Sequence, residues 1–206
     1  MTKYIPIKES YRFSCTMCAH CCTGDQEVLL TPFDLYKMGR FLHYETSEEL
    51  FDNGWAELVK NENNVWRPQI RFKIKPFKYC PFLSNELDED STLIGRCQLH
   101  PEHKPLVCAM APVGRIVDME KNTEEYVFVK PAPDCPGVHS AQQNSLNELL
   151  TSLKEELDFQ RNYFELLEIA KNRLLSKEQS FERLYQFRLN KPFRVIIADL
   201  KKRIVR

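Results

Sequence analysis

Four cysteines fall within one short stretch, Phe13-Ser-Cys-Thr-Met-Cys-Ala-His-Cys-Cys22, at Cys15, Cys18, Cys21 and Cys22. Thiols this dense are too many and too close for ordinary core packing, so the chain around them is expected to fold about something they hold. A thiolate is a soft ligand for Zn²⁺, Cu(I) or iron–sulfur iron, and a C-x2-C turn brings two sulfurs to one metal-sized point.

The spacing narrows the choice. C-x2-C-x2-C sets three sulfurs around one centre, the local pattern of a bacterial ferredoxin cluster loop, whereas zinc sites usually take their ligands as two pairs. An iron–sulfur cluster is therefore the favoured cofactor and zinc the alternative. Cys22 follows directly on Cys21, and neighbouring side chains on an extended backbone diverge. One of the two is thus expected to face elsewhere, toward a second metal or as a reactive thiol.

The remaining cysteines are Cys80, Cys97, Cys108 and Cys135, and they can join the loop only if the chain folds back over it. Each sits close to Pro or Gly in a turn-like context. The plainer reading, that they are buried reduced thiols acting as small hydrophobes, weighs most on Cys135. His100 and His103 lie between Cys97 and Cys108, and His20 lies inside the loop. Imidazole is a competent ligand, but eight cysteines already supply the donors. Surface or capping roles suit the first two better, and a hydrogen bond that tunes the sulfurs suits His20.

Eight cysteines in 206 residues is about 4%, below the density of a disulfide-built secreted scaffold. The opening Met1-Thr-Lys-Tyr-Ile-Pro-Ile-Lys8 has no signal-peptide apolar run, and no stretch approaches the roughly 20 apolar residues that span a bilayer. A cytoplasmic location with reduced thiols follows as an expectation, and there clustered cysteines mean metal or catalysis. Formal net charge is zero, which offers no overall field to select nucleic acid. From Phe181 to Arg206, however, eight basic residues face only Glu182 and Asp199, a local balance of +6 that leaves −6 for the rest. Such asymmetry points to a partner or an anionic surface, or to a tail docked on its own acidic body.

In chain order, residues 1–12 read as an extended lead-in and Glu27–Leu30 as a brief strand. Thr31-Pro32-Phe33-Asp34 reads as a helix start with Thr31 as cap and Pro32 in the first turn. A second helix is expected from Ser47 to just before Asn61, and a half-buried strand over Val65–Ile74 from its alternation. Cys80 and Cys97 should be drawn together at the ends of a hairpin around the acidic turn Asn85–Asp90. Val113–Met119 and Tyr126–Val129 read as paired strands. A long amphipathic helix begins at Ser145 and reaches Leu175. One more helix follows, and Phe193–Ala198 fits either a short strand or the apolar face of a tail helix.

Phe13-x-Cys15-x2-Cys18-x2-Cys21-Cys22, Leu30-x3-Asp34, Cys80-Pro-Phe-Leu83, Gly95-x-Cys97-x2-His100 and Lys104-Pro105-x2-Cys108, in that order, resemble the CxxCxxCC cysteine-cluster family. That YkgJ-type family is described as a zinc- or iron-chelating domain, and flagellin lysine N-methylases carry a related module. The resemblance covers residues 10–138. It implies metal binding by Cys15, Cys18, Cys21, Cys22, Cys80, Cys97 and Cys108, with Cys135 as the eighth ligand. The family's Arg-Pro before its late cysteine is Lys104-Pro105 here, and its Cys-Arg-x-Phe-Pro is Cys108-Ala-Met-Ala-Pro112, which removes an Arg and an aromatic from that corner.

The expected fold class is α+β, with a cysteine-cluster metal-binding domain over residues 1–138 and a helical C-terminal extension over 139–206. Three function classes follow. They are an iron–sulfur protein for electron transfer, sensing or maturation; a zinc-stabilised interaction module; and a lysine methylase-like enzyme. The helical extension is expected to engage another protein. No phosphate-cradling glycine loop, Gly-x-Ser-x-Gly or dinucleotide fingerprint is present, and no methyl-donor site can be located.

Overall fold

Thr31 and Asp34 form the predicted helix start as a closed capping box. The Thr31 hydroxyl accepts the Asp34 N–H at 3.1 Å, and the Asp34 carboxylate accepts the Thr31 N–H at 2.8 Å. With Pro32 supplying a preset φ at the first position, this fixes helix α1 at Pro32–Phe41. The fold is seen in a computed structural model that describes residues 4–206, so residues 1–3 of the expected lead-in lie outside it.

Around α1 the chain builds a mixed α+β structure from short antiparallel pairs. The lead-in contributes β1 (Ile5–Pro6) and β2 (Ser10–Arg12). After α1 come α2 (Glu48–Asp52), the pair β3 (Ala56–Lys60) and β4 (Trp66–Ile70), and the hairpin β5 (Leu83–Leu87) and β6 (Leu93–Cys97). Helix α3 (Leu106–Met110) leads into β7 (Val113–Asp118) and β8 (Thr123–Phe128), and β9 (Gln143–Ser145) precedes the helices α4 (Leu146–Ser152), α5 (Lys154–Asn172), α6 (Lys177–Ser180) and α7 (Phe193–Val205). β1 adds to the β7–β8 hairpin in the order β1-β8-β7, while β2 pairs with β9. The ligand loop that follows β2 thus leaves a strand anchored on the segment just after Cys135.

Two sequence expectations change. The helix expected from Ser47 to before Asn61 is only α2, because Gly54 at φ +71° turns the chain and Ala56–Lys60 pairs instead as a strand with β4. Nor does Ser47 cap that helix. It is fully buried, its hydroxyl donating to the Tyr185 carbonyl at 2.7 Å and accepting the Phe187 N–H at 2.9 Å, while the Glu49 carboxylate takes the N–H groups of Glu45 and Thr46. The strand expected over Val65–Ile74 stops at Ile70. Beyond it Lys73 and Tyr79 exchange backbone hydrogen bonds at 2.9 Å, which leaves Ile74 77% exposed.

Glu27–Leu30, expected as a brief strand, runs beside β4 with Leu30 N–H donating to the Pro68 carbonyl at 2.8 Å, but it pairs only through an isolated bridge from Leu29 to Gln69. The helix from Ser145 forms as α4 and α5 with a break at Leu153, and Phe193–Ala198 resolves as part of α7 rather than a strand.

The main core draws on both ends of the chain. Leu30, Leu35, Met38, Leu50, Phe82 and Leu99 pack with Tyr163, Leu166, Leu184, Tyr185 and Leu200. Phe33, Phe159 and Phe193 meet at ring-centroid separations of 4.8 to 4.9 Å, and the buried hydroxyls of Tyr163 and Tyr185 satisfy each other at 2.9 Å. Residue 138 therefore marks a change of composition, and the packing runs across it. A smaller cluster of Ile7, Leu106, Met110, Val113, Leu146 and Leu157 seats α3 between the β7–β8 hairpin and the helices. No helix among the described residues is long and apolar enough to cross a membrane.

Candidate metal centre

The cysteine loop is held from two sides by backbone contacts that only glycine permits. Ser14 N–H donates to the Gly137 carbonyl at 3.2 Å, and Gly95 N–H donates to the Met17 carbonyl at 2.7 Å. A Cβ on Gly137 would sit 2.4 Å from the Ser14 carbonyl oxygen, and one on Gly95 would sit 2.4 Å from the Ala19 Cβ. Between these clamps Met17 and Ala19 take positive φ values of 54° and 61°. That left-handed backbone is costly for residues with a side chain. It turns the chain so that Cys22 N–H reaches the Ala19 carbonyl at 2.8 Å and His20–Cys22 closes a 3₁₀ turn.

The turn reverses the expectation for the adjacent thiols. Divergence requires extended backbone, and here the backbone is curled, so Cys21 Sγ and Cys22 Sγ lie 3.9 Å apart. Cys22 also receives the later cysteines, its carbonyl accepting the Cys80 N–H at 2.7 Å. Cys80 and Cys97 come together through the hairpin as predicted. Leu83 N–H bonds back to the Cys80 carbonyl at 3.0 Å, and Leu83 pairs in register with Cys97.

Cys108 arrives by a route the sequence reading did not identify. Asp34 is 1% exposed, and its second carboxylate oxygen accepts the Leu106 N–H at 2.8 Å, pinning the first turn of α3 to the cap of α1. Lys37 extends the same contact, donating to the Lys104 carbonyl at 2.6 Å and to the Glu156 carboxylate at 2.5 Å. The blocks Leu30-x3-Asp34 and Lys104-Pro105 carried the signal. Their joint role was invisible because Asp34 and Leu106 are far apart in sequence.

Cys22, Cys80, Cys97 and Cys108 pack in one cluster, and their electrostatics follow from it. Burial pushes the Cys80 thiol up to about 12, and charge on Cys97 and Cys21 adds to the rise. Cys108 is raised too, first by enclosure of its sulfur, with the Lys104 ammonium opposing and Cys80, Cys21 and Cys97 reinforcing. Within the Cys21–Cys22 pair, a hydrogen bond from the Cys22 thiol favours the Cys21 thiolate and lowers it, while Cys22 is raised. Cys135 is buried and raised, and it senses Cys18 and Cys21. Its turn is tied to the loop by the His20 ring, whose Nδ1 lies 3.0 Å from the Asp134 carbonyl, so His20 orients the loop.

The structure thus packs Cys22, Cys80, Cys97 and Cys108 into one cluster with Cys21 3.9 Å from Cys22, and it ties the turn that carries Cys135 to the loop through His20. Cys15 is exposed at the start of the loop. His100 is exposed and His103 packs on the Phe41 ring at 5.5 Å. Among the described residues no three cysteine, histidine or carboxylate side chains converge on one metal-sized point, so the donors are assembled without a closed coordination shell. Their chemistry fits a soft metal ion. Buried thiols of raised pKa stay protonated near neutrality, and a bound cation supplies the charge that converts them to thiolates.

Residues 14–136, more than half of the chain and a stretch that includes all eight cysteines, match the CxxCxxCC family, which is described as "Putative zinc- or iron-chelating domain". No curated protein and no solved structure matches the chain. The matched stretch contains the cysteine loop, the β5–β6 hairpin that brings Cys80 and Cys97 together and the helix α3 that carries Cys108, and the chain belongs to the CxxCxxCC family.

Proposed function

We propose that the protein holds an iron–sulfur cluster at this cysteine centre and uses it for electron transfer, sensing or cluster maturation. The observation that supports this reading is the spacing of the loop. Cys15, Cys18 and Cys21 follow the C-x2-C-x2-C run of a ferredoxin cluster loop, whereas structural zinc usually takes its ligands as two pairs. When bound, a cluster of this type supplies one-electron chemistry whose potential depends on nearby charge, hydrogen bonds and solvent. The chain's own contribution to that tuning is the Lys104 ammonium, which favours anionic sulfur at Cys21 and Cys108. The experiment is visible absorption of anaerobically purified protein. A broad sulfur-to-iron band that bleaches on reduction with dithionite supports the reading, and a spectrum without visible bands in metal-loaded protein overturns it.

One observation favours zinc as a second reading. Two thiolates on one tetrahedral ion, with bonds of about 2.3 Å, lie roughly 3.8 Å apart, close to the 3.9 Å between Cys21 Sγ and Cys22 Sγ. A zinc ion on that pair would make the module a metal-stapled scaffold for another protein.

A further inference from the structure

Seven of the eight basic residues of the tail, all but Arg183, separate into two populations in the folded chain. Arg194 and Lys201 dock on the acidic face of α5, to Glu155 and Glu165, both at 3.0 Å. Arg188, Lys191, Lys202, Arg203 and Arg206 make no such pairing among the described residues, and they converge on a single cleft of about 360 Å³. Helical spacing explains the convergence. Ile196, Asp199, Lys202 and Arg203 fall at intervals of three and four along α7 and share one face, and Arg206 follows at the end of the helix. Arg188 and Lys191 come from the segment that leads into the helix, so the cleft draws its cations from two elements, and the buried Phe187 and Ile196 also line it.

We propose that this cleft is a docking site for an acidic peptide segment of a partner protein, one carrying several carboxylates around an apolar side chain. Charge complementarity carries the assignment, since five cations face one lining carboxylate, Asp199. Glu48 stands next to the cleft but is already engaged, accepting the Gln186 amide at 2.9 Å. One wall is prepositioned. The Arg203 guanidinium donates to the carbonyls of Glu182 at 2.7 Å and Gln186 at 2.8 Å, so little side-chain freedom is lost when a carboxylate meets the rest of it. Burial also lowers the Arg203 pKa, and the charge on Asp199 opposes that fall only in part.

Peptide is favoured over nucleic acid for two reasons. The cations line one cleft rather than a stripe that could follow a phosphate backbone. Asp199, in the midst of the site, can accept a peptide N–H, a donor that a phosphate backbone lacks. Membrane docking is disfavoured because the cations border a cleft of about 360 Å³, which an extended peptide can enter and a flat lipid surface cannot. The site is separate from the cysteine centre and does not rest on which metal is bound there.

The test is fluorescence anisotropy of the full chain, metal-loaded as purified, with a labelled peptide of Asp and Glu residues around a central Leu, at low and physiological salt. Parallel arms use oligodeoxythymidylate of equal charge and phosphatidylserine-containing vesicles. The expected result is saturable peptide binding that weakens with salt, falls about tenfold or more in Lys191→Glu/Lys202→Glu, and is unchanged in Arg194→Glu, whose guanidinium lies outside the cleft. Both lysines are exposed and leave the fold intact, which thermal melting checks. Absence of peptide binding at low salt overturns the assignment, as does equal binding by the charge-reversed chain or tighter binding of the oligonucleotide or the vesicles.

Discussion

The Asp34 carboxylate accepts the backbone N–H of Leu106 at 2.8 Å, so an acid in the first turn of one helix holds the short helix that carries Cys108. Its other oxygen accepts the N–H and hydroxyl of Thr31, both at 2.8 Å. Three charge-assisted bonds on a buried carboxylate make it both a helix cap and a fastener of the metal centre.

Asp34→Ala should therefore cost about 3 kcal/mol, since a charged hydrogen-bond partner is lost while buried donors are left behind. Asp34→Asn, which keeps the shape and part of the bonding, should cost less. Urea unfolding measures both, and metal content should fall in step with the Ala variant. A loss below about 1 kcal/mol would mean that Asp34 only caps α1.

Gly95 sits where the β5–β6 hairpin meets the cysteine loop. In Gly95→Ala the new methyl group would lie 2.4 Å from the Ala19 Cβ and 3.3 Å from its Cα, so the loop must move off the hairpin. Lower melting and lost metal are expected. Adding Ala19→Gly removes the opposing methyl and relaxes a positive φ of 61°, and it should restore both properties. A Gly95→Ala chain with unchanged metal content and melting would show that the loop does not depend on this contact.

A salt-bridge cluster gives the fold a pH dependence on its acid side. Glu124 accepts Arg115 at 2.6 Å and Arg161 at 2.7 Å, and Arg115 also donates to the Leu157 carbonyl at 2.9 Å, tying the β7–β8 hairpin to α5. The hydrogen bond from Arg115 is the main cause holding the Glu124 carboxyl below its ordinary value of 4.5, against the opposing effect of partial burial. Folding thus favours the charged form. That stabilisation is complete above the ordinary value and is lost as pH falls through the lower folded one. Glu124→Gln should be about 1–2 kcal/mol less stable than the parent at neutral pH, with the gap closing in acid. A gap that stays constant across the acid range would contradict this.

Cys21 and Cys22 should behave as one unit. Because their sulfurs face each other at 3.9 Å, Cys21→Ser and Cys22→Ser are expected to lose metal to the same extent, measured by elemental analysis of matched preparations. Strongly unequal losses, with fast alkylation of one surviving thiol, would restore the divided roles that adjacency in sequence suggests.

What could be read from the sequence was local. Thr31, Pro32 and Asp34 specify their helix start within four residues, and the 80–97 hairpin follows from two apolar runs around an acidic turn. The Ser47 helix failed because Gly54 and the pairing of Ala56–Lys60 with Trp66–Ile70 override a favourable acidic first turn. The orientation of Cys21 and Cys22 was hidden for a different reason. It depends on the left-handed backbone of Ala19, which clamps at Gly95 and Gly137 impose from distant parts of the chain. The basic tail was visible as charge, but which cations pair with α5 and which stay open is decided by the faces of α7.

The central claim, that the gathered thiols hold an iron–sulfur cluster, is tested most directly by counting iron, zinc and acid-labile sulfide per chain in protein purified without oxygen. Iron and sulfide in equal amounts, several of each per chain, with little zinc, is the predicted result. Stoichiometric zinc without sulfide would contradict it and make the centre a structural staple.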